Sequence, residues 1–291
     1  MTVVRAKVLG FCMGVRRAVG LARAEAENRT GRVYTLGPLI HNPQALEDLE
    51  SRGVETLDAD DPPPDLGGAS VIIRAHGVSP EIEDDLRKRG AVLIDATCPR
   101  VKASQLKARS LAEAGRRLFL AGEKSHAEIA GILGYAKAGP FCAVVGDAAE
   151  AFAAAERLAA EGGEGGGTAL IGQTTISEGE YRDVAAAIAG FFPDLEVAGT
   201  ICAATRERRD GLRGLLDKVD AVVVVGGRES ANTRRLLAIA ESAGKPCVLA
   251  ETAREIPDGF FGFDVIGVAA GASTPDAVID EVERVLLGGR A

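Results

Sequence analysis

Short apolar runs alternate with amphipathic stretches along the whole chain. Val3–Leu9, Val33–Leu36, Val71–Ile73 and Val92–Ile94 have strand length and are flanked by Gly, Pro, Asn or Asp. The same spacing continues through Leu118–Leu120, Cys142–Val145 and Ala169–Ile171, and then through Ala221–Val225, Cys247–Leu249 and Val265–Val268. Helical patterns lie between them: Val15 to Asn28, Gln44 to Arg52 behind Pro43, a charged stretch to Arg89, Val101 to Ala114, one opening near Gly122–Glu128, Ala148 to Ala160, one after Ser177, Thr205 to Val219, one ending at Ala243, and a last one after Pro275. Strand and helix in strict alternation predict an α/β protein with mainly parallel sheets. Asp58–Gly68 reads as a surface loop and Glu161–Gly167 as a flexible linker.

The alternation is also a repeat. A cysteine follows a strand and opens a helix at Gly10-Phe11-Cys12-Met13-Gly14, at Asp95-Ala96-Thr97-Cys98-Pro99 and at Thr200-Ile201-Cys202-Ala203. From each cysteine to the next polar strand end (His41, His126 and Ser230) the separations are 29, 28 and 28 residues. A second polar end follows in each third: His76-Gly77-Val78-Ser79-Pro80, Thr174-Thr175-Ile176-Ser177 and Ala272-Ser273-Thr274-Pro275. Repetition of a whole supersecondary unit predicts three αβ domains related by a pseudo-threefold axis. Their bounds are 13–98, 99–199 and 200–291, with hinges near Pro99 and Gly199. In parallel sheets ligands sit outside the carboxyl ends of the strands, where these polar motifs lie.

Composition narrows the function classes. The 291 residues carry a net charge of −8 and no Lys/Arg run, which argues against nucleic acid as a partner. No apolar stretch is long enough for a membrane span, and the N-terminus lacks the apolar segment of a signal peptide, so a cytoplasmic protein is expected. Five scattered cysteines make a poor disulfide framework.

The chemistry then follows from residue type. A thiol at a helix N-terminus favours its thiolate, the form that binds metal. Three thiolates suit three corners of a 4Fe–4S cluster, leaving one iron without a protein thiolate; a three-cysteine zinc site is the inorganic alternative. Cys142 and Cys247 sit away from the polar ends and read as packing residues. All three histidines of the chain, His41, His76 and His126, fall at polar strand ends. With hydroxyls, an Asn amide and helix N-termini they form an anion site suited to a diphosphate. Glu128 opens a helix, where a carboxylate commonly does no more than complement the dipole; in a closed site it could donate a proton. Thr174 reads either as a helix cap or as a partner in that proton relay. A zinc hydrolase and a non-catalytic sensor of diphosphate or redox state are the competing functions.

Taken together, these motifs resemble the 4-hydroxy-3-methylbut-2-enyl diphosphate reductase (IspH/LytB) family. The resemblance is carried by Gly-Phe-Cys-Met-Gly-Val, His41-Asn42, Ala75-His76-Gly77-Val78-Ser79, Asp95-Ala96-Thr97-Cys98-Pro99, His126-Ala127-Glu128, Gln173-Thr174-Thr175, Cys202 with Ala204-Thr205, Ser230 with Asn232, and Ala270-Gly271-Ala272-Ser273. It implies three αβ domains around one 4Fe–4S cluster per chain, held by Cys12, Cys98 and Cys202, with the substrate hydroxyl on the iron that lacks a thiolate. It also implies that residues 1–12 join the third domain, giving 200–291 plus 1–12. It implies diphosphate contacts from His41, His76, His126, Ser230, Asn232 and Ser273. Glu128 would be the proton source, with Thr174 and His126 beside it. The hydroxyl would leave as water, giving isopentenyl and dimethylallyl diphosphate, the last step of the non-mevalonate pathway. A ferredoxin or flavodoxin would supply electrons to a monomer or weak dimer. Ala231 and Ala269 stand where the family commonly has Ser and Thr, and Arg206-Glu207-Arg208-Arg209 departs from its usual run.

Overall fold

The computed structural model describes residues 1–162 and 166–288, so the centre of the expected 161–167 linker and the last three residues of the third expected domain lie outside the described residues. Among the described residues there are twelve strands: β1 (Thr2–Arg5), β2 (Val33–Leu36), β3 (Val54–Leu57), β4 (Ser70–Ile73), β5 (Val92–Asp95), β6 (Arg117–Ala121), β7 (Phe141–Val145), β8 (Thr168–Gly172), β9 (Glu196–Val197), β10 (Ala221–Val225), β11 (Cys247–Ala250) and β12 (Val265–Ala270). Ten α-helices separate them: α1 (Met13–Asn28), α2 (Pro43–Ser51), α3 (Pro80–Lys88), α4 (Pro99–Glu113), α5 (Ala127–Tyr135), α6 (Ala148–Ala160), α7 (Glu178–Ala189), α8 (Ala203–Leu216), α9 (Ala231–Ser242) and α10 (Asp276–Leu286).

The chain gathers into two compact units. One comprises Met1–Pro62 and the chain from Ala203 onward; the other is Pro63–Cys202. The first unit holds a parallel sheet in the order β1-β12-β10-β11 and the parallel pair β2–β3. In the second unit the parallel sheet runs β7-β6-β8-β9, beside the parallel pair β4–β5. The N-terminal strand therefore joins the C-terminal third, with Thr2 opposite Val265.

Uninterrupted apolar strands are explained by two buried faces. Along β10, Ala221, Val223 and Val225 face α10, whereas Val222 and Val224 pack with Leu212, Leu215 and Leu236 of α8 and α9. In the second unit, Phe119 and Leu170 meet α6 and α7, while Leu118, Leu120 and Ile171 meet α4 and α5. Where only one face is covered, the apolar run breaks and the strand is hard to read. In β3 the central Glu55 and Thr56 are exposed between buried Val54 and Leu57, and β9 is two residues long. The strand expected over Val3–Leu9 ends at Arg5, opposite Val268, while β12 runs on to Ala270; the departing chain then turns into the left-handed region at Gly10 (φ 76°). A Cβ at Gly10 would lie 2.5 Å from Asp276 Oδ1, so the turn needs glycine on two counts.

Phe119 is fully buried at the centre of the second unit, its ring 5.4 Å from that of Phe141 and 6.5 Å from Phe192. Phe119→Ala should cost about 3–5 kcal/mol, read as a lower urea midpoint. A loss below about 1 kcal/mol would contradict this packing.

Candidate active site

The polar strand ends form ligand-competent loops in each unit. In the first, Cys12 caps α1: its Sγ accepts from the Val15 amide at 3.5 Å, and its own amide donates to Ala272 O at 3.0 Å. The neighbouring Ser273 hydroxyl donates to His41 O at 3.1 Å. Next to His41, Asn42 caps α2 by accepting from the Ala45 amide at 3.0 Å. Ser230 caps α9, accepting from the Thr233 amide at 3.4 Å, which leaves its O–H to donate. Asn232 is buried, yet neither Oδ1 nor Nδ2 has a hydrogen-bond partner, and Thr233 Oγ1 beside it has none either. Buried amides are rarely left so, and a bound water, ion or ligand commonly supplies the missing partner. Of the expected contacts in this unit, Asn232 and Ser230 are thus free to serve an anion as they stand. Ser273 must first turn its hydroxyl away from His41.

The second unit carries His76, Cys98, His126, Glu128, Thr174 and Cys202. Cys98 caps α4, and its amide donates to Ala75 O at 2.9 Å, tying it to the loop of His76. The His76 and His126 rings meet edge to face at 5.2 Å. His126 caps α5, with Nδ1 accepting from the Glu128 amide at 3.2 Å; in the neutral ring the proton is then on Nε2, aimed away from the helix.

Glu128 is 1% exposed. Its Oε1 accepts from the Thr174 amide at 2.6 Å and its Oε2 from the Thr174 hydroxyl at 2.9 Å. Burial pushes the carboxyl up to about 7 against the downward pull of those two bonds. A carboxylate that only complemented the helix dipole would be solvated, so that plainer alternative fails. Thr174 is not a cap either, since α7 is capped by Ser177 in a capping box with Glu180. The Thr174 carbonyl accepts from the Cys202 amide at 2.9 Å, so one residue orients both the acid and a thiol.

The remaining two cysteines behave as packing residues. Burial pushes the Cys142 thiol up to about 12, and burial with nearby Glu241 raises Cys247. Ala269 packs with Val222 and Val224 in the apolar core, so its methyl replaces no ligand group.

Three supports lie outside the sequence expectations. Arg208 is buried and donates to Gly10 O at 2.5 Å and to Ala204 O at 2.8 Å, clamping the turn before Cys12 onto the first turn of α8. Lys102, one turn after Cys98, bonds Tyr135 OH at 3.0 Å and pairs with Asp95 at 3.2 Å; Asp95 in turn accepts from the Thr97 amide at 2.9 Å. Gln105 is fully buried and donates to Val78 O at 3.3 Å, filling the space beside Gly77 (φ 70°) where a side chain would clash. Arg208 lies in the run Arg206-Glu207-Arg208-Arg209 that departs from the family's usual one, and Gln105 in an ordinary helical pattern.

Parallel α/β layers that carry thiols, histidines and a buried carboxyl at their strand ends have the architecture of an enzyme whose site lies at the carboxyl ends of the sheets. The family model described as "LytB protein" matches residues 3–287, and the chain belongs to that family. A 4-hydroxy-3-methylbut-2-enyl diphosphate reductase from Treponema denticola is 46% identical over 295 residues, covering 99% of this chain and 100% of the relative. The reductase of Solidesulfovibrio magneticus is 42% identical over 293 residues, covering 98% and 99%. A solved (E)-4-hydroxy-3-methyl-but-2-enyl diphosphate reductase, described as the terminal enzyme of the non-mevalonate pathway, superposes with a TM-score of 0.73 at 38% identity, over 99% of this chain and 100% of that one. The Plasmodium falciparum reductase superposes with a TM-score of 0.85 at 24% identity, over 98% and 87%, and shares the fold. That fold is three parallel-sheet α/β domains.

Because Glu128 holds its proton more tightly folded than unfolded, its contribution to stability is full below its ordinary value of 4.5 and is lost as pH rises to about 7. The wild type should lose up to about 3 kcal/mol across that window, and Glu128→Gln should flatten the slope. Parallel pH profiles of the urea midpoint for the two proteins measure it; superimposable profiles would show that Glu128 titrates normally.

Proposed function

We propose that this protein reductively removes the hydroxyl of (E)-4-hydroxy-3-methylbut-2-enyl diphosphate, releasing water and giving isopentenyl and dimethylallyl diphosphate. The observation that carries this reading is the buried Glu128–Thr174 pair, an acid poised near neutral pH in a chain that belongs to the LytB family. Loss of a hydroxyl as water needs a proton at the leaving oxygen, and the reaction as a whole takes up two electrons and two protons. Glu128 supplies the first proton; the Thr174 hydroxyl steadies its carboxyl and accepts a share of the relay.

His41, His76, His126, Ser230, Asn232 and Ser273 bind the diphosphate. Each brings a donor that needs no formal charge: the unpartnered Asn232 amide, the free Ser230 O–H, and the His126 Nε2–H. Such a set holds an anion in a protein of net charge −8 without a lysine.

Cys12, Cys98 and Cys202 would hold one 4Fe–4S cluster per chain. The donor set fits: Cys12 and Cys98 cap helices, Cys202 immediately precedes α8, and all three are half-buried free thiols. When bound, such a cluster supplies electrons and a Lewis-acidic iron for breaking the carbon–oxygen bond. A small acidic one-electron carrier such as a ferredoxin or flavodoxin would reduce it.

Protein purified without oxygen should be brown and contain about four irons per chain, and it should turn over the hydroxylated diphosphate with a reduced donor. Cys98→Ser should lose both iron and turnover. Glu128→Gln should keep its iron while kcat falls by about 10²–10³. A colourless, zinc-loaded protein that is active in air would overturn the proposal.

A further inference from the structure

A groove of about 390 Å³ lies in the second unit between α4 and the stretch Glu196–Thr200. Arg100 and Lys107 stand on its helical wall, two turns apart on one face of α4 and both exposed. Opposite them, Val197 is 48% exposed, with exposed Gly199 and then Thr200 beside it. Glu196 is the one carboxylate lining the groove, and it pairs with Lys107 at 2.7 Å and with Arg116 at 3.2 Å. Two cations therefore share the one carboxylate of the groove, and Arg100 on its helical wall has no ion pair among the described residues.

We propose that this groove is the docking surface for an acidic one-electron carrier protein. The inference rests on the reductase reading above, which requires electrons from outside the chain. A protein of net charge −8 repels an acidic carrier over most of its surface, so productive encounter needs a locally cationic patch. This patch has the anatomy of a transient contact, a small apolar floor inside a charged rim. It is also close to the chemistry along the chain: Arg100 is two residues past Cys98, and Thr200 is two residues before Cys202. The carrier would give up one electron per encounter, and two encounters complete one turnover.

The test compares two reductants on the anaerobic holoenzyme: reduced flavodoxin, an acidic protein, and reduced methyl viologen, a small cation with no use for a basic groove. For Arg100→Glu together with Lys107→Glu, the KM for flavodoxin should rise at least ~10-fold, while the viologen-driven kcat stays within about two-fold of wild type. Arg100→Glu alone, at an exposed and unpaired position, should show the same split to a smaller degree. In the wild type, raising salt from about 50 to about 300 mM should slow the flavodoxin reaction and spare the viologen one. An unchanged KM for flavodoxin, or equal losses with both reductants in the single variant, would overturn the docking surface. Absence of viologen-driven turnover in the wild type would instead remove the reductase reading, and this proposal with it.

Discussion

The site depends on keeping a carboxyl group dry. Glu128 sits at the start of α5, where the backbone would welcome its negative charge, yet its side chain turns inward and is 1% exposed. Burial and hydrogen bonding then oppose each other. Two bonds from Thr174 favour the charged form, and desolvation outweighs them, leaving the group near neutrality. One hydrogen bond fewer would raise the carboxyl further, and a solvated carboxylate would be ionised at neutral pH. Thr174 is placed to set this balance because its carbonyl is itself fixed by the Cys202 amide. Acid, hydroxyl and thiol are thus successive links of one backbone-anchored chain within the second unit.

A second constraint is unsatisfied polarity. Asn232 and Thr233 bury polar atoms that nothing among the described residues satisfies, at the start of a helix whose cap is already supplied by Ser230. Leaving a buried amide unpaired costs on the order of 1–3 kcal/mol. The loops around it are held firmly: Thr274 donates to Val225 O at 2.9 Å, and Ser273 bridges to His41 O. Donors preorganised in this way would take a polar partner with little further loss of freedom.

How much of this was legible in the sequence varies with the kind of signal. Strands buried on both faces announce themselves: Ala221–Val225 is apolar throughout because α10 covers one side and α8 and α9 the other. Edge elements do not, and β3 escapes because Glu55 and Thr56 face outward. Site residues show when their type is rare, as with the three histidines, or when position repeats, as with the three cysteines. For Glu128 the sequence offered both a dipole-complementing carboxylate and, through the family resemblance, a proton source; what it could not show is the burial that raises the carboxyl toward neutral pH. Arg208 showed only as part of a run that departs from the family's usual one, and Lys102 and Gln105 left no trace, because charged and amide side chains on helices are common and their tertiary bonds are encoded at distances of up to 198 residues.

The five cysteines show why position outweighs identity. Cys142 lies within β7 and Cys247 opens β11, where burial raises the thiol and no backbone dipole offsets it. Each stays neutral and behaves as a small apolar side chain. Cys12 and Cys98 instead stand at the N-cap positions of helices, and Cys202 directly precedes one; at Cys12 the Val15 amide donates to the sulfur. The supports differ at each: Arg208 holds the Gly10 carbonyl ahead of Cys12, and Lys102 acts through Asp95 on the amide before Cys98. Thr200, two residues before Cys202, accepts from the Gly172 amide at 2.9 Å. Three unrelated side chains reach one result, a cysteine fixed at the mouth of a helix. The repeat therefore preserves a geometry for sulfur and leaves each third of the chain to stabilise it with whatever neighbour its own packing supplies.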